Sequence, residues 1–371
     1  MIREIHLTNF KCFRSQTIKF GQLTLLTGLN SSGKSTIIQS LLLLRQSYVE
    51  NMLPDIGLAI NGPLAQLGTA KDVLHEEADA DQVRLRLVED AVMDLSLTFS
   101  YQENSDVLDL SYIRPVGDVW SMNLFTDNFQ YLRAERLGPR TSFGLSDFEV
   151  RRHRRIGISG EYATHFLSVY GGEAMEHFGL RHSLALSNAL KSQVEAWMAE
   201  ISPGVRLNVT LYSDIDLITF GVSYMLGGQV ASTEYRPTNV GFGITYALPV
   251  VVALLSARVG GLVIVENPEA HLHPRGQVKI GELIARAASA GVQVIVETHS
   301  EHVLNGIRIA VHSGAVPDPS IISIYYSKWE TGGTSPTLTP VTVDNRGRLS
   351  DWPEGFFDET ERSLDSLLDG N

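Results

Sequence analysis

Apolar and polar positions change their spacing several times along the chain, and these changes predict its elements. The opening residues Met1 to Phe13 alternate like a strand, and QTIKF and QLTLLTG add two more short strands. The run KSTIIQSLLLLRQ that follows has helical spacing. Between residues 83 and 115, three alternating runs predict an antiparallel β layer. A strand, a loop and a helix therefore come first, and a β layer follows.

The second half of the chain alternates strands with helices. Residues 160–201 have helical spacing and few breakers, which predicts a helical insertion before two strands, VRLNVTLY and DLITFGVSYM. A buried helix is predicted at 243–257, and GLVIVE, a helix, VQVIVETHS and another helix follow. This alternation indicates an α/β fold with a mostly parallel core sheet, an antiparallel β layer and a helical insertion.

These elements divide the chain into four predicted regions. An N-terminal lobe covers residues 1–115, and an insertion, largely helical with flanking strands, covers 116–235. A C-terminal lobe covers 236–317, and a β/α extension covers 318–371. The extension contains IISIYYSKW, which predicts strands added at the edge of the core.

Composition and charge narrow the function classes. The 371 residues are 43% hydrophobic and 19% charged, which is typical of a soluble globular protein. The most apolar window, 244–255, is short for a bilayer, so no membrane partner is expected. The single cysteine, Cys12, excludes an internal disulfide, and the opening residues lack the layout of a secretory signal. Together these features favour a cytoplasmic protein.

The net charge of −12 argues against a general affinity for nucleic acid, so any DNA contact would have to be local. One dense basic cluster offers such a contact, and its alternative interpretation is a solvated loop. The cluster contains Arg151, Arg152, Arg154 and Arg155.

A glycine-bearing loop carries the clearest chemical signal. Residues 28–35 match G-x-x-x-x-G-K-[ST] and lie between a predicted strand and a predicted helix, which is the context that the motif requires. Its backbone N–H groups would surround phosphate oxygens, Lys34 would bridge the β- and γ-phosphates, and Ser35 would ligate Mg²⁺. The predicted nucleotide contacts are Gly28, Leu29, Asn30, Ser31, Ser32, Gly33, Lys34, Ser35 and Thr36.

A second apolar strand, VIVE, ends at Glu266, where an acid commonly holds Mg²⁺ through water. A carboxylate that orients the attacking water is expected one residue later, but Asn267 stands there. An amide can position the water but cannot accept its proton, so Asn267 is a candidate for positioning only. Glu269, beyond Pro268, is the nearest carboxylate that could accept it. The alternative is that Glu269 caps or pairs near the helix that begins around His273.

A histidine ends the next apolar strand. In VIVETHS, His299 stands at the carboxyl end of the strand, where it could bind the γ-phosphate and stabilise charge in the transition state. Together with His271, His273 and His302 it also allows a zinc interpretation. Because the spacings are loose and no cysteine joins them, Mg²⁺ is the expected metal.

The phosphate loop, VIVENPEAHLHP and VIVETHS, in this order, resemble the ABC-type ATPases of the SMC, RecF and OLD groups. The chain is most similar to standalone bacterial ATPases whose C-terminal part is a domain of unknown function. The opening I-x-x-I-x-L-x-N-F-K-C-F and the ending DWPEGFFDE are similar to those proteins. The resemblance implies a P-loop NTPase of the ABC-head type that uses ATP and Mg²⁺.

The resemblance also implies a head that dimerises on ATP, with each site completed by a signature segment of the partner copy. In this chain Asn239, Gly241 and Gly243 lie at the matching position, although the usual serine is absent. Gln66 is the candidate for a Mg²⁺-sensing glutamine, and an ordinary loop amide is the alternative.

The residues after His299 contain no D-x-D pair of acids of the kind that a nuclease domain carries, and the chain lacks the long heptad stretches of a coiled-coil arm. Because some proteins of the resembled group act in anti-phage systems beside a separate nuclease, the resemblance implies a separate effector as the partner, in anti-phage defence or DNA maintenance.

Beside DNA binding through the basic cluster, three nucleotide-dependent functions stay open. The first is a slowly hydrolysing ATPase that switches a partner through ATP-dependent homodimerisation. The second is a nucleotide-binding scaffold without hydrolysis, which Asn267 and the absent signature serine suggest. It would gain thermal stability from ATP but release no phosphate. The third is a small-molecule kinase, which would give a product other than ADP and phosphate.

Overall fold

The computed structural model describes residues 1–90, 92–226, 230–353 and 355–368. The strands are β1 Ile2–Phe10, β2 Phe13–Lys19, β3 Leu23–Gly28, β4 Gly57–Ala59, β5 Gln82–Glu89, β6 Met93–Ser100, β7 Val107–Val116, β8 Phe129–Leu132, β9 Phe143–Gly144, β10 Val205–Tyr212, β11 Leu217–Leu226, β12 Val230–Ala231, β13 Leu262–Glu266, β14 Gln293–Glu297, β15 Ile322–Lys328 and β16 Thr337–Val341. The helices are α1 Lys34–Val49, α2 Ala163–Tyr170, α3 Leu190–Ile201, α4 Phe242–Ser256, α5 Pro274–Ser289, α6 Glu301–His312 and α7 Glu359–Leu368.

These elements form two compact units. The first unit comprises residues 1–126, 323–342 and 351–371, and the second comprises 127–322 and 343–350. The division of the chain into four regions stays a prediction, because compactness does not test where a lobe or an insertion begins.

An antiparallel sheet dominates the first unit. Its strand order is β2-β1-β5-β6-β7-β4. In β5 the side chains of Val83, Leu85 and Leu87 are buried, whereas those of Arg84 and Arg86 are exposed. This alternation places one face of the sheet against the core and the other toward solvent. The predicted antiparallel layer is confirmed, and the opening strands β1 and β2 belong to the same sheet.

The first unit also contains the strand that leads into the phosphate loop. β3 is buried from Leu23 to Thr27 and lies beside β15, which pairs antiparallel with β16. The helix α1 begins at Lys34, directly after Gly33, and buries most of its side chains. The predicted strand, loop and helix are confirmed, and the C-terminal extension does contribute strands.

Three parallel strands form the centre of the second unit. β13 pairs with β8 on one side and with β14 on the other, so that Leu262 lies opposite both Phe129 and Gln293. The residues of β13 before Glu266 and all residues of β14 are buried, as expected for parallel strands that are covered on both faces. The helices α5 and α6 pack closely, because a Cβ on Gly281 would lie only 3.1 Å from the Cα atom of Gly306.

The predicted helical segment 160–201 contains two helices rather than one continuous run. α2 and α3 lie near its two ends, and between them residues 171–189 form turns and a short 3-10 helix, Phe178–Leu180. The strands predicted after it are confirmed as the antiparallel pair of β10 and β11. Within the described part of the chain, no helix is both long and apolar enough to span a membrane.

Candidate functional site

The backbone of the phosphate loop, residues 28–36, takes left-handed conformations that are favourable mainly for glycine. Gly28, Ser31 and Gly33 all have positive φ, at 136°, 61° and 92°. A Cβ on Gly28 would come within 2.8 Å of the backbone nitrogen of Ser327, and one on Gly33 within 2.8 Å of the sulfur of Cys12. Glycine is therefore required at both positions for conformation and for space.

Lys34 is folded into this loop. Its side chain is 3% exposed, and its ammonium donates to the carbonyl oxygens of Gly28 at 3.1 Å and Leu29 at 2.6 Å. Ser32 donates its hydroxyl to the Leu29 oxygen at 2.7 Å, whereas Ser35 is exposed. The ammonium of Lys34 is thus held within the loop by backbone carbonyl oxygens.

Two residues at the end of β15 and just after it contact the phosphate loop. The indole of Trp329 donates to the carbonyl oxygen of Ser31 at 2.9 Å, and the hydroxyl of Ser327 donates to that of Ser32. The sulfur of Cys12 lies 3.6 Å from the hydroxyl oxygen of Thr36. Burial raises the pKa of this thiol. Tertiary contacts therefore hold the loop at several points.

Gln66 lies in the segment after β4, where it is exposed and its backbone bridges to Asn61. A second glutamine, Gln46 on α1, anchors the residues just before it. The buried amide of Gln46 accepts from the Ala65 nitrogen at 3.0 Å and donates to the Ala59 oxygen at 2.8 Å. The role of Gln66 in sensing Mg²⁺ stays a prediction.

The acidic segment, residues 266–269, follows β13 in the second unit. One carboxylate oxygen of Glu266 accepts from the hydroxyl of Tyr131 at 3.1 Å, and the other accepts from the backbone nitrogen of Ala134 at 3.1 Å. Burial raises the pKa of Glu266, and these hydrogen bonds together with the charge of Arg136 oppose that rise. Burial and the neighbouring Glu266 also raise the pKa of Tyr131.

Arg136 fixes the backbone of this segment. Its guanidinium donates to the carbonyl oxygen of Glu266 at 2.7 Å and to that of Asn267. The side chain is 3% exposed, and burial lowers the pKa of Arg136 to about 10, so that it keeps its charge at neutral pH. The guanidinium also lies 5.8 Å from the ring centroid of Tyr246. A buried cation therefore caps the carboxyl end of β13.

The structure brings Asn267, Glu269 and His299 together. Asn267 has a positive φ of 43°, and its backbone nitrogen donates to the Glu297 oxygen at 2.8 Å. One carboxylate oxygen of Glu269 accepts from the backbone nitrogen of His299 at 2.9 Å. The side-chain oxygen of Asn267 and the second oxygen of Glu269 are buried, and neither has a donor among the described residues. Two buried acceptors of the acidic segment therefore remain to be satisfied.

The signature-like residues lie at the start of α4. Asn239 and Gly241 are exposed, and Gly241 caps the helix with open space where a Cβ would stand. Gly243 instead packs inward, because its Cβ would lie 2.9 Å from the carbonyl oxygen of His271. Phe242, 55% exposed, lies 5.5 Å from the ring of His271. The helix start is thus attached to the loop after the acidic segment.

Two of the other histidines, His271 and His273, have structural partners. His273 caps α5 by accepting from the backbone nitrogen of Arg275 at 3.3 Å, and the ring of His271 lies 4.3 Å from that of Tyr246. Among the residues that the structure describes, no group of three or more His, Cys, Asp or Glu side chains is arranged to hold a metal ion.

The basic cluster lies in the second unit and is largely paired with acids. Arg151 lies 2.9 Å from Asp147, Arg154 lies 3.1 Å from Glu173, and Arg155 lies 3.1 Å from Asp127. Arg152 is exposed.

Two contributors to the acidic segment were not predicted as site residues. Tyr131 lies on β8, a four-residue strand too short to give a periodic signal, and Arg136 follows the same strand. The only sequence signal was the stretch YLRAERLGPR, residues 131–140, with arginines that could clamp phosphate or pair with carboxylates. Arg136 does neither, since it donates to backbone carbonyl oxygens.

Three family models match successive parts of the chain. Residues 1–147 match the AAA ATPase domain, and residues 218–305 match a family described as "AAA domain, putative AbiEii toxin, Type IV TA system". Residues 318–367 match a protein family of unknown function, DUF3696. A comparison with curated protein sequences gives no match.

Solved structures of SMC heads are similar over nearly the whole chain. An SMC head bound to the C-winged helix domain of ScpA is 13% identical, covers 92% of this chain and 98% of its own, and gives a TM-score of 0.53. An SMC head with an extended coiled coil, bound to the C-terminal domain of ScpA derived from Pyrococcus furiosus, is 12% identical, covers 99% of both chains and also gives 0.53. The chain therefore has the fold of an SMC-like, ABC-type P-loop ATPase, which confirms the predicted fold class.

Proposed function

We propose that this protein binds ATP with Mg²⁺ and hydrolyses it slowly, as a switch for a partner protein. The observation that carries the proposal is the phosphate loop, in which positive φ at Gly28, Ser31 and Gly33 accompanies a buried Lys34 at the start of α1. A loop of this kind directs backbone N–H groups at phosphate. The SMC-head fold and the matches to AAA ATPase families support the same function.

The loop residues Gly28 to Thr36 would hold the triphosphate, with Lys34 moving its ammonium from backbone carbonyl oxygens to phosphate oxygens. Ser35 and Glu266 offer the hydroxyl and carboxylate oxygens that Mg²⁺ prefers, and Gln66 could supply an amide oxygen. When bound, Mg²⁺ would neutralise charge on the phosphates. The buried carboxylate of Glu266, with its raised pKa, would be stabilised by a nearby cation.

In this proposal Glu269 accepts the proton of the attacking water, and Asn267 positions that water. Glu269 has one carboxylate oxygen fixed by the backbone of His299 and a second oxygen without a donor among the described residues. A fixed carboxylate with one free acceptor suits a base, whereas an amide can only orient the water. His299, whose side chain is exposed, would bind the γ-phosphate.

We further propose that ATP joins two copies of the chain. The exposed Asn239 and Gly241 at the start of α4 would supply N–H groups to the γ-phosphate bound by the other copy. Since SMC heads have been solved with ScpA bound, a separate partner, such as a nuclease, is proposed here as well. Its setting would be the cytoplasm, in anti-phage defence or DNA maintenance.

Phosphate release from ATP tests the catalytic proposal. The wild type should release phosphate in the presence of Mg²⁺, Glu269→Ala should lose this activity while still binding ATP, and Lys34→Ala should lose binding. Glu176→Ala removes an exposed glutamate elsewhere in the second unit and serves as the matched control. Full activity in Glu269→Ala would refute its role as the base.

The competing hypothesis is the scaffold that holds ATP without consuming it. Asn267 favours it, because the amide stands where the water-activating carboxylate is expected. A wild type that is stabilised by ATP but inactive, together with an active Asn267→Glu variant, would establish the scaffold. Size-exclusion chromatography tests the switch, since a Lys34→Ala variant that still dimerises with ATP would contradict it.

A further inference from the structure

A cavity of about 310 Å³ lies in the second unit at the amino-terminal ends of β8 and β13. Phe129 and Leu262, the first residues of these strands, are paired and line it. Glu266 stands four residues further along β13, which corresponds to about 13 Å along an extended strand. The cavity is therefore distinct from the acidic segment at the other end of the same strands.

Positive charge dominates the lining of this cavity. Arg151, Arg152, Arg154 and Arg258 line it, and among its described lining residues Asp127 carries the one carboxylate. Asp127 is already engaged, since one of its oxygens lies 3.0 Å from a ring nitrogen of His153 and 3.1 Å from the guanidinium of Arg155. The lining of the cavity is therefore positively charged, although the whole chain has a net charge of −12.

Two of the four arginines carry charge that the protein does not neutralise. Arg151 pairs with Asp147, and Arg154 pairs with Glu173 and lies 4.0 Å above the ring centroid of Tyr170. Arg152 and Arg258 are exposed, and neither makes an ion pair with any residue in the described part of the chain. An anion that enters the cavity would find these two guanidinium groups available.

The backbone that carries these arginines is fixed to the strands. The side-chain nitrogen of Gln130 on β8 donates to the Arg154 oxygen at 2.6 Å, which attaches the basic segment to the strand. The turn that carries Arg258 is closed by a bond from the Gly261 nitrogen to the Arg258 oxygen at 2.9 Å. Because both segments are anchored at the start of the sheet, binding an anion would order little beyond the two side chains.

We propose that this cavity binds a small phosphate-bearing molecule, with Arg152 and Arg258 as its phosphate ligands. The planar guanidinium donates two parallel hydrogen bonds to phosphate oxygens, and two such groups match the charge of a phosphate ester. The volume lies at the lower end of the range for small-molecule sites, which is about 300 to 1,000 Å³. A nucleic acid would instead need a basic track that follows many phosphates.

Isothermal titration of the full-length protein with pyrophosphate tests this site. The Lys34→Ala background is used, so that the phosphate loop does not contribute, and its folding is checked by thermal melting. We expect one site with millimolar or tighter affinity. The double variant Arg152→Ala/Arg258→Ala should bind roughly tenfold to a hundredfold more weakly, the range expected when hydrogen bonds to a charged group are lost. Arg152→Lys/Arg258→Lys, which keeps the charge but loses the planar fork, should lie in between.

The matched control is Arg346→Ala/Arg348→Ala, which removes two exposed arginines of the second unit away from the cavity. This control should keep its affinity for pyrophosphate. Equal weakening in both double variants, or no pyrophosphate site at all, would overturn the proposal. A short single-stranded DNA that binds more tightly than pyrophosphate through the same arginines would also overturn it, in favour of a nucleic-acid site. ATP hydrolysis by the same arginine variants is measured separately, in a chain that keeps Lys34. Loss of the proposed ATPase function is then not confused with loss of this site.

Discussion

The phosphate loop and the acidic segment differ in whether their polar atoms have hydrogen-bond partners. In the loop, the ammonium of Lys34 and the hydroxyl of Ser32 donate to nearby backbone oxygens, and Trp329 satisfies the oxygen of Ser31. In the acidic segment, the side-chain oxygen of Asn267 and one oxygen of Glu269 are buried without a donor among the described residues. These carbonyl oxygens of the loop therefore have donors within the protein. The acidic segment instead holds two acceptors that a water or a ligand would satisfy.

Electrostatics extends this difference. Burial raises the pKa of Glu266 and lowers that of Arg136, so that both charged forms are held at a cost in free energy. The loop depends on backbone conformation instead. Substitutions in the loop should thus act through sterics, and those in the acidic segment through charge and hydrogen bonding.

The largest effect is expected from Gly28→Ala. The φ of 136° is strained for any residue with a Cβ, and that Cβ would collide with the backbone of Ser327. We expect a loss of roughly 3 kcal/mol or more in the free energy of unfolding, measured by chemical denaturation. Gly241→Ala is the control, since its φ is −61° and its surroundings are open, and it should stay within about 0.5 kcal/mol of the wild type. Similar losses in both variants would contradict the steric explanation.

Arg136→Met should have the next largest effect. The carbonyl oxygens of Glu266 and Asn267 would lose a charged donor while methionine fills a similar volume. We expect the free energy of unfolding to fall by about 2 to 3 kcal/mol, again by chemical denaturation. The exposed Arg140 provides the control, and Arg140→Met should change stability by less than about 0.5 kcal/mol. Unchanged stability in Arg136→Met would show that the donor is dispensable.

Glu266→Gln should stabilise the protein without nucleotide. Because the pKa of Glu266 is raised on folding, the protonated form contributes stability at acidic pH, and this contribution is lost as pH rises through the folded pKa. The amide keeps both contacts, accepting from Ala134 and donating to the oxygen of Tyr131, without the charge. We therefore expect a higher free energy of unfolding for the variant than for the wild type at neutral pH.

Thermal melting from pH 4 upward checks this expectation. The wild type should lose stability relative to Glu266→Gln in a window that begins near the ordinary glutamate pKa and ends at the raised one. Phosphate release should fall in the variant, because the proposed Mg²⁺ ligand loses its charge. A variant less stable than the wild type at neutral pH would contradict the sign of the shift.

Trp329→Phe should have the smallest effect. It removes one hydrogen bond to the oxygen of Ser31 but keeps an aromatic ring beside the loop. We expect the affinity for a fluorescent ATP analogue to weaken by roughly threefold, since a single neutral hydrogen bond contributes about 1 kcal/mol or less. Trp352→Phe, on another part of the first unit, is the control. Equal affinity in both variants would show that the loop holds its shape without this support.

The sequence predicted the parts of the molecule whose signal is local. The loop motif and the continuous apolar runs of β13 and β14 could be identified because a few adjacent residues specify them. Glu269 and His299 were both named, but their hydrogen bond could not be predicted, since it depends on how two loops meet after parallel strands. Tyr131 and Arg136 were missed as site residues because their partner Glu266 lies about 130 positions away in the sequence, and only the pairing of β8 with β13 brings them together.

The proline that follows Asn267 in the acidic segment has a chemical consequence for the ageing of the protein. Asparagine loses ammonia spontaneously when the next backbone nitrogen attacks its side chain and forms a cyclic imide. Here the next residue is Pro268, whose nitrogen is already tertiary and carries no hydrogen. The cyclic-imide route from amide to carboxylate is therefore closed at the position where the water-activating carboxylate is expected.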